Sequence, residues 1–279
     1  MAENCDSNCS SCGVEGCGDR QAEEDRTRAG NPASHVKKVI GVVSGKGGVG
    51  KSSVTSLLAS TMCRAGRKVG IMDADMTGPS IPKAFGVKSH IMGSDAGLLP
   101  ASTDEGIKMI STNLMLADET DPVIWRGAMI AGVVKQFWTD VVWGELDYLF
   151  IDMPPGTGDV ILTAFQSLPI DGIVVVTAPQ DLVGMIVAKA VNMAKEMEIP
   201  VLGLVENMSY FICDQCGKEH HIFGETDIAA IAEKYEIPVT ATLPLDPKVA
   251  QLCDEGKVFS YESDGLAPIV EKLESLPEN

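Results

Sequence analysis

Apolar residues in this chain fall into short, β-branched runs, separated by longer stretches in which apolar positions return every three or four residues. The runs Val39–Ser44, Lys68–Asp73, Tyr148–Asp152, Gly172–Thr177, Val201–Glu206 and Val239–Leu243 are continuous rather than alternating. Strands of that kind are buried on both faces, as in a parallel sheet. Between them the helical period predicts helices over Ser52–Arg64, Arg126–Trp138, Leu182–Met197, Thr226–Tyr235 and Pro247–Glu255. In the second of these, Met129, Ile130, Val133, Val134, Phe137 and Trp138 form one apolar face, suited to the core with an interface as the alternative. The alternation predicts an α/β fold, a mostly parallel twisted sheet covered by helices on both faces. Functional loops then lie at the C-terminal ends of the strands.

The first strand runs into Gly45-Lys46-Gly47-Gly48-Val49-Gly50-Lys51-Ser52, which satisfies the phosphate-loop pattern G-x-x-x-x-G-K-[ST]. Glycines let the backbone approach phosphate oxygens with its N–H groups, and the helix that follows adds the positive end of its dipole. Lys51 reaches the outer phosphates, the Ser52 hydroxyl suits Mg²⁺, and Ser53 extends the lining of the site. Lys46 is an extra lysine that makes the motif a deviant Walker A loop. At the rim, facing away from its own nucleotide, it suits a contact with a nucleotide held by a second subunit; a solvated surface charge is the alternative.

Two strands downstream end in acids. Asp152 suits the outer shell of a phosphate-bound Mg²⁺, and Asp75 is the candidate for orienting an attacking water. Asp73, deeper in its strand, reads as a structural hydrogen-bond acceptor. Asp152-x-x-x-Gly156 has the form of a switch that senses a γ-phosphate through the Gly156 N–H, with helix caps or turns as the bland reading. Base choice is partly legible. No N-K-x-D segment is present, Asn207 offers an amide to adenine, and Pro244 within Leu243–Pro247 suits the flank of the ring, so ATP is expected over GTP.

Composition adds limits. A chain of 279 residues with 45% hydrophobic content is long enough for one α/β domain, taken as residues 38–279, preceded by a flexible cysteine-rich arm and linker over 1–37. The formal charge of −17 opposes nucleic acid and anionic membrane as partners. No apolar stretch approaches bilayer length and the N-terminus has no secretory pattern, so cytoplasm is expected.

Eight cysteines are present, which in a cytosolic chain point to metal or redox chemistry. Cys63 and Cys253 stand alone in helices and read as small core residues. Cys213-Asp214-Gln215-Cys216-Gly217, in an insertion near 209–224, is a C-x-x-C turn whose soft thiolates suit an iron–sulfur cluster, zinc or copper(I). A [4Fe–4S] cluster needs four thiolates, so two chains meeting on a two-fold axis would complete it. A zinc knuckle using Cys213, Cys216 and a histidine, and a thioredoxin-like redox pair, are the competing readings. Cys5, Cys9, Cys12 and Cys17 in the arm offer a second set of four thiols, or incidental thiols in a tail.

Taken in order, these segments, with Trp125-Arg126-Gly127, Thr177-Ala178-Pro179-Gln180 and Glu206-Asn207-Met208-Ser209, resemble the Mrp/ApbC family of P-loop ATPases that carry iron–sulfur clusters, over about residues 38–260. The resemblance implies a homodimer binding two ATP near its interface and one bridging [4Fe–4S] cluster at Cys213 and Cys216, with ATP turnover controlling cluster assembly or transfer to apo-proteins. It places Lys46 at the partner's nucleotide and Asp75 at the catalytic water. The eukaryotic scaffold branch also carries a four-cysteine N-terminal cluster, which Cys5, Cys9, Cys12 and Cys17 resemble at shorter spacing. MinD/ParA positioning ATPases share the lysine-bearing loop but would favour a basic face or a membrane helix, and neither is evident. A reductase like the nitrogenase iron protein also bridges a cluster between subunits, through ligands that are not a single C-x-x-C.

Overall fold

The computed structural model describes residues 30–277, except 76, 77, 79, 90, 116–126, 157 and 180–182 and the side chains of 127–131, 159 and 160. Strands are β1 His35–Val43, β2 Val69–Asp73, β3 Met92–Ser94, β4 Gly97–Leu99, β5 Ala101–Ser102, β6 Lys108–Ile110, β7 Glu145–Asp152, β8 Gly172–Thr177, β9 Val201–Ile212, β10 Glu219–His220 and β11 Thr240–Pro244. Helices are α1 Lys51–Arg64, α2 Ile81–Ala84, α3 Gly127–Thr139, α4 Asp159–Ser167, α5 Val183–Glu196, α6 Ile228–Lys234, α7 Pro247–Asp254 and α8 Ala267–Glu274, with short 3-10 turns between some of them.

Nine strands form one sheet in the order β10-β9-β8-β1-β7-β2-β6-β5, with β11 on β9, while β3 and β4 make a separate hairpin. All pairings in the sheet are parallel except β5–β6 and β9–β10. Successive residues of β1 point to opposite faces, which divides the core in two. Val39 and Val43 join Phe137, Trp138, Phe165 and Val187 on one side. Ile40 and Val42 join Leu58, Met62, Ile269 and Leu273 on the other. Both faces are covered, as the continuous apolar runs predict. The described part of the α3 face is core: Val134 and Phe137 are each 1% exposed and Trp138 is buried, while the side chains of Met129 and Ile130 lie outside the described residues. Cys63 and Cys253 are half-buried at the margin of the second core, and burial raises both thiols above the usual range.

Three strands run beyond their predicted limits. β1 begins at His35 and β7 at Glu145 because their polar first turns pair with each other, His35 opposite Glu145. β9 continues past Glu206 to Ile212 because β10 folds back on it, Phe211 opposite His220 and Ile212 opposite Glu219. The helices α4 and α8 were not among the predicted ones. Ile269 and Leu273 of α8 are wholly buried, so the acidic C-terminal segment seals the second core. Among the described residues no helix is long and apolar enough to cross a membrane.

Candidate functional site

β1 lies between β8 and β7, and the connection from β1 through α1 reaches β2 on the far side of β7. Ligands of open α/β sheets bind beside such a crossover, outside the strands' C-terminal ends. Ser44 to Gly50 make that turn. Gly50, the residue before α1, has φ of +75°, and a Cβ on it would run into Asn207 Nδ2. Only glycine adopts that conformation without strain and leaves this space. Asn207 in turn donates from Nδ2 to the Val49 carbonyl at 3.0 Å, bracing the loop from the end of β9. Gly50→Ala is expected to weaken ATP binding at least about tenfold while the fold survives, measurable by calorimetric titration beside circular dichroism. Gly48, Gly50, Ser53, Asn207, Pro244 and Tyr261 line one cavity above this loop.

Beneath the loop the strand-end acids and the loop lysine converge. Asp152 is fully buried; its Oδ2 accepts from Ser52 Oγ at 2.6 Å and its Oδ1 from Thr55 Oγ1 at 2.8 Å. Lys51 Nζ lies 2.8 Å from Asp152 Oδ1 and 3.8 Å from Asp75 Oδ2. Ser52 and Asp152 offer hard oxygen donors side by side, which fits Mg²⁺. Asp73 stands opposite Asp152 across the β2–β7 pairing. Its Oδ1 accepts from the Asp75 N–H at 3.2 Å, the acceptor role expected for it. Burial, and then the negative charge of Asp152, push the Asp73 carboxyl well above the usual carboxylate range. Thr55 is absent from the residues singled out by sequence, although it lies four positions after Lys51 and so on the same helix face.

The Gly156 N–H donates to the Ser44 carbonyl at 2.8 Å, which sets this turn against the entry to the loop. Lys46 is half-buried; its carbonyl accepts from Ser44 Oγ at 3.0 Å, and its ammonium forms no ion pair among the described residues. Val49 is buried and Gly47 exposed in the same turn.

The thiol pair sits at the tip of the β9–β10 hairpin. The Cys213 N–H donates to the Lys218 carbonyl at 2.9 Å and the Gly217 N–H to the Cys213 carbonyl at 2.8 Å, closing a tight turn. The Gln215 and Cys216 N–H groups, and then the Cys216 thiol, stabilise the Cys213 thiolate and lower this thiol below the usual range. A thiol that ionises more readily than usual suits a soft metal ligand. His221 turns toward β9, Nδ1 lying 3.3 Å from the Ser209 carbonyl and Nε2 3.3 Å from Glu219 Oε1. Among the described residues no group of three or more His, Cys, Asp or Glu is placed to hold a metal ion. The apolar side chains Ile212, Ile222 and Phe223 near the turn are each more than half exposed. Cys5, Cys9, Cys12 and Cys17, with Trp125 and Arg126, lie outside the described residues.

One strand joins the two centres. β9 carries Asn207 against the phosphate loop, and Cys213 follows one residue after its end. Its Tyr210 carbonyl accepts from the Leu245 N–H at 2.6 Å, tying the cavity wall to the hairpin.

Comparison with known proteins agrees with this geometry. The family profile described as "ParA: NUBPL iron-transfer P-loop NTPase" matches residues 35–278. An iron-sulfur cluster carrier protein of Clostridium perfringens is 45% identical over 245 residues, covering 85% of this chain and 86% of that protein. The cytosolic Fe-S cluster assembly factor CFD1 of Saccharomyces cerevisiae is 39% identical over 253 residues, covering 85% and 86% of the two chains. A nucleotide-binding protein from Archaeoglobus fulgidus, solved in complex with ADP, superposes with a TM-score of 0.78 at 42% identity, over 87% of this chain and 95% of that one. The MinD protein of Pyrococcus horikoshii, at 21% identity and TM-score 0.61, shares the fold.

Proposed function

Because the chain belongs to the family of NUBPL-type iron-transfer P-loop NTPases, we propose that two copies together hold one [4Fe–4S] cluster as cargo, and that ATP turnover governs its delivery to apo-proteins in the cytoplasm. At family level the chain is an iron–sulfur cluster carrier with a P-loop ATPase fold. The observation that carries the finer reading is the hairpin tip, which presents two thiols and no third donor among the described residues. A cubane cluster takes four thiolates. Cys213 and Cys216 from each of two copies related by a two-fold axis supply that number, and Ile212, Ile222 and Phe223 supply apolar surface beside it.

The nucleotide end follows from the loop. Backbone N–H groups of Gly45 to Gly50 suit the phosphates, Lys51 balances their charge, and Ser52 with Asp152 would hold Mg²⁺. Mg²⁺, when bound, draws charge from the phosphate oxygens. Asp75 is assigned to orient the attacking water, and its backbone is fixed by Asp73. Gly156 is assigned to sense the γ-phosphate by exchanging its N–H bond to the Ser44 carbonyl for one to the phosphate, and Lys46 to reach the nucleotide of the second copy. Asn207 and Pro244 flank the base. Cys5, Cys9, Cys12 and Cys17 are assigned a second cluster. The acidic charge leaves nucleic acid and membrane outside the scheme.

Anaerobic reconstitution followed by incubation with the apo form of a [4Fe–4S] enzyme tests this function. Activation of that enzyme, with a rate that responds to ATP, is the expected result. Activation no faster than with free iron and sulfide would contradict it.

A further inference from the structure

We propose that Tyr261 sets the base preference of the nucleotide cavity by occupying, with its hydroxyl, the carboxylate that guanine would otherwise use. This rests on the ATP-binding reading above and names the residue that makes the cavity an adenine site. Asp246 is the only acidic residue lining that cavity among the described residues. Both of its oxygens are engaged. Oδ1 accepts from the Lys248 N–H at 2.9 Å, capping α7, and Oδ2 accepts from the Tyr261 hydroxyl at 3.0 Å. Tyr261 is 8% exposed and its own N–H donates to the Val258 carbonyl at 3.0 Å, so the phenol is held in place from behind. Burial, and then the bond to Asp246, push the phenol up to about 12, so it remains a donor across the physiological range.

The two purines ask for different walls. Guanine presents adjacent N–H donors on its pairing edge, which a carboxylate with a free oxygen satisfies; adenine presents a ring acceptor and a 6-amino donor, and a free carboxylate would repel the former. A donor left unpaired on entering a cavity costs the full desolvation of that group, which makes such a site discriminating. Each Asp246 oxygen already accepts one bond, the phenol taking Oδ2, and besides Asp246 and Tyr261 the polar side chains on the wall are Ser53 and Asn207. Asn207 gives its Nδ2 to Val49, and that bond leaves its amide oxygen unused for a 6-amino group. Tyr261 thus acts through Asp246, as a positioning residue rather than a catalytic one.

The test is titration of the full-length protein with ATP and with GTP in four forms: wild type, Tyr261→Phe, Asp246→Asn, and both changes together. Wild type is expected to favour ATP. Tyr261→Phe frees Asp246 Oδ2 and is expected to narrow the ATP-to-GTP affinity ratio roughly tenfold. The double variant, with no carboxylate to free, is expected to restore the ratio, and Asp246→Asn alone to stay within about twofold of wild type. A merely structural tyrosine would lower both affinities together. An unchanged ratio in Tyr261→Phe, a narrowing that persists in the double variant, or a shifted ratio in Asp246→Asn would each overturn the assignment. Failure of the wild type to bind either nucleotide would overturn the ATP reading and this inference with it.

Discussion

Replacing Cys213 with serine is expected to remove the cluster while nucleotide binding continues. In a reconstituted dimer the change deletes two of four thiolate ligands at once, because each copy contributes the same residue. Serine keeps the size of the side chain but replaces a soft donor with a hard one, and loses the thiolate that the Gln215 and Cys216 N–H groups stabilise. In a form with Cys5, Cys9, Cys12 and Cys17 replaced, iron and sulfide after anaerobic reconstitution are expected to fall from about two of each per chain to background. The turn lies at the tip of a hairpin outside both core clusters, so the unfolding midpoint is expected to stay where it was. ATP affinity is read in the same samples. Iron content equal to wild type would remove Cys213 from the ligand set, whereas loss of cluster and nucleotide together would indicate collapse of β9.

Asp152→Ala is expected to have the largest effect at the other centre. One buried carboxylate receives Ser52, Thr55 and Lys51, and alanine leaves all three without it. Lys51, 5% exposed, would keep one ion pair among the described residues, with Asp75 at 3.8 Å. Breaking a buried pair from one side costs about 3–5 kcal/mol, because the surviving charge is left in the interior. The same change removes the partner of the Ser52 hydroxyl, the group proposed for Mg²⁺, and kcat for ATP hydrolysis is expected to fall by about 100-fold or more. Chemical denaturation and steady-state phosphate release read the two effects separately. Wild-type turnover in a folded Asp152→Ala protein would contradict the role given to this residue.

What could be read in the sequence was what is contiguous in it. The loop from Gly45 to Ser52 and the turn that carries Cys213 and Cys216 each show as a motif within a few residues, because turn geometry fixes how near neighbours meet. The strands of the sheet were legible for a related reason: burial on both faces demands unbroken apolar runs. Relations set by strand order were not. Asp73 meets Asp152 only because β7 inserts between β1 and β2, and no local pattern encodes that insertion. β9 was cut short at Glu206 because Asn207-Met208-Ser209 interrupts the apolar run, and only pairing with β10 and β11 carries it to the hairpin. Thr55 and Tyr261 were missed for the same cause. Their partners lie 97 and 15 residues away, at contacts without any periodicity.

The link through β9 gives the two centres a shared element. Asn207 braces the phosphate loop, Tyr210 ties down the cavity wall, and Cys213 sits beyond the strand's end.

The central claim is that one copy holds half of the cluster's ligands. Native mass measurement of the anaerobically reconstituted protein, with iron and sulfide assayed on the same sample, tests it most directly. The account predicts a species of two chains carrying four iron and four sulfide at the hairpin pair, in a form with Cys5, Cys9, Cys12 and Cys17 replaced so that the arm adds nothing. A single chain holding one zinc ion and no sulfide would contradict it.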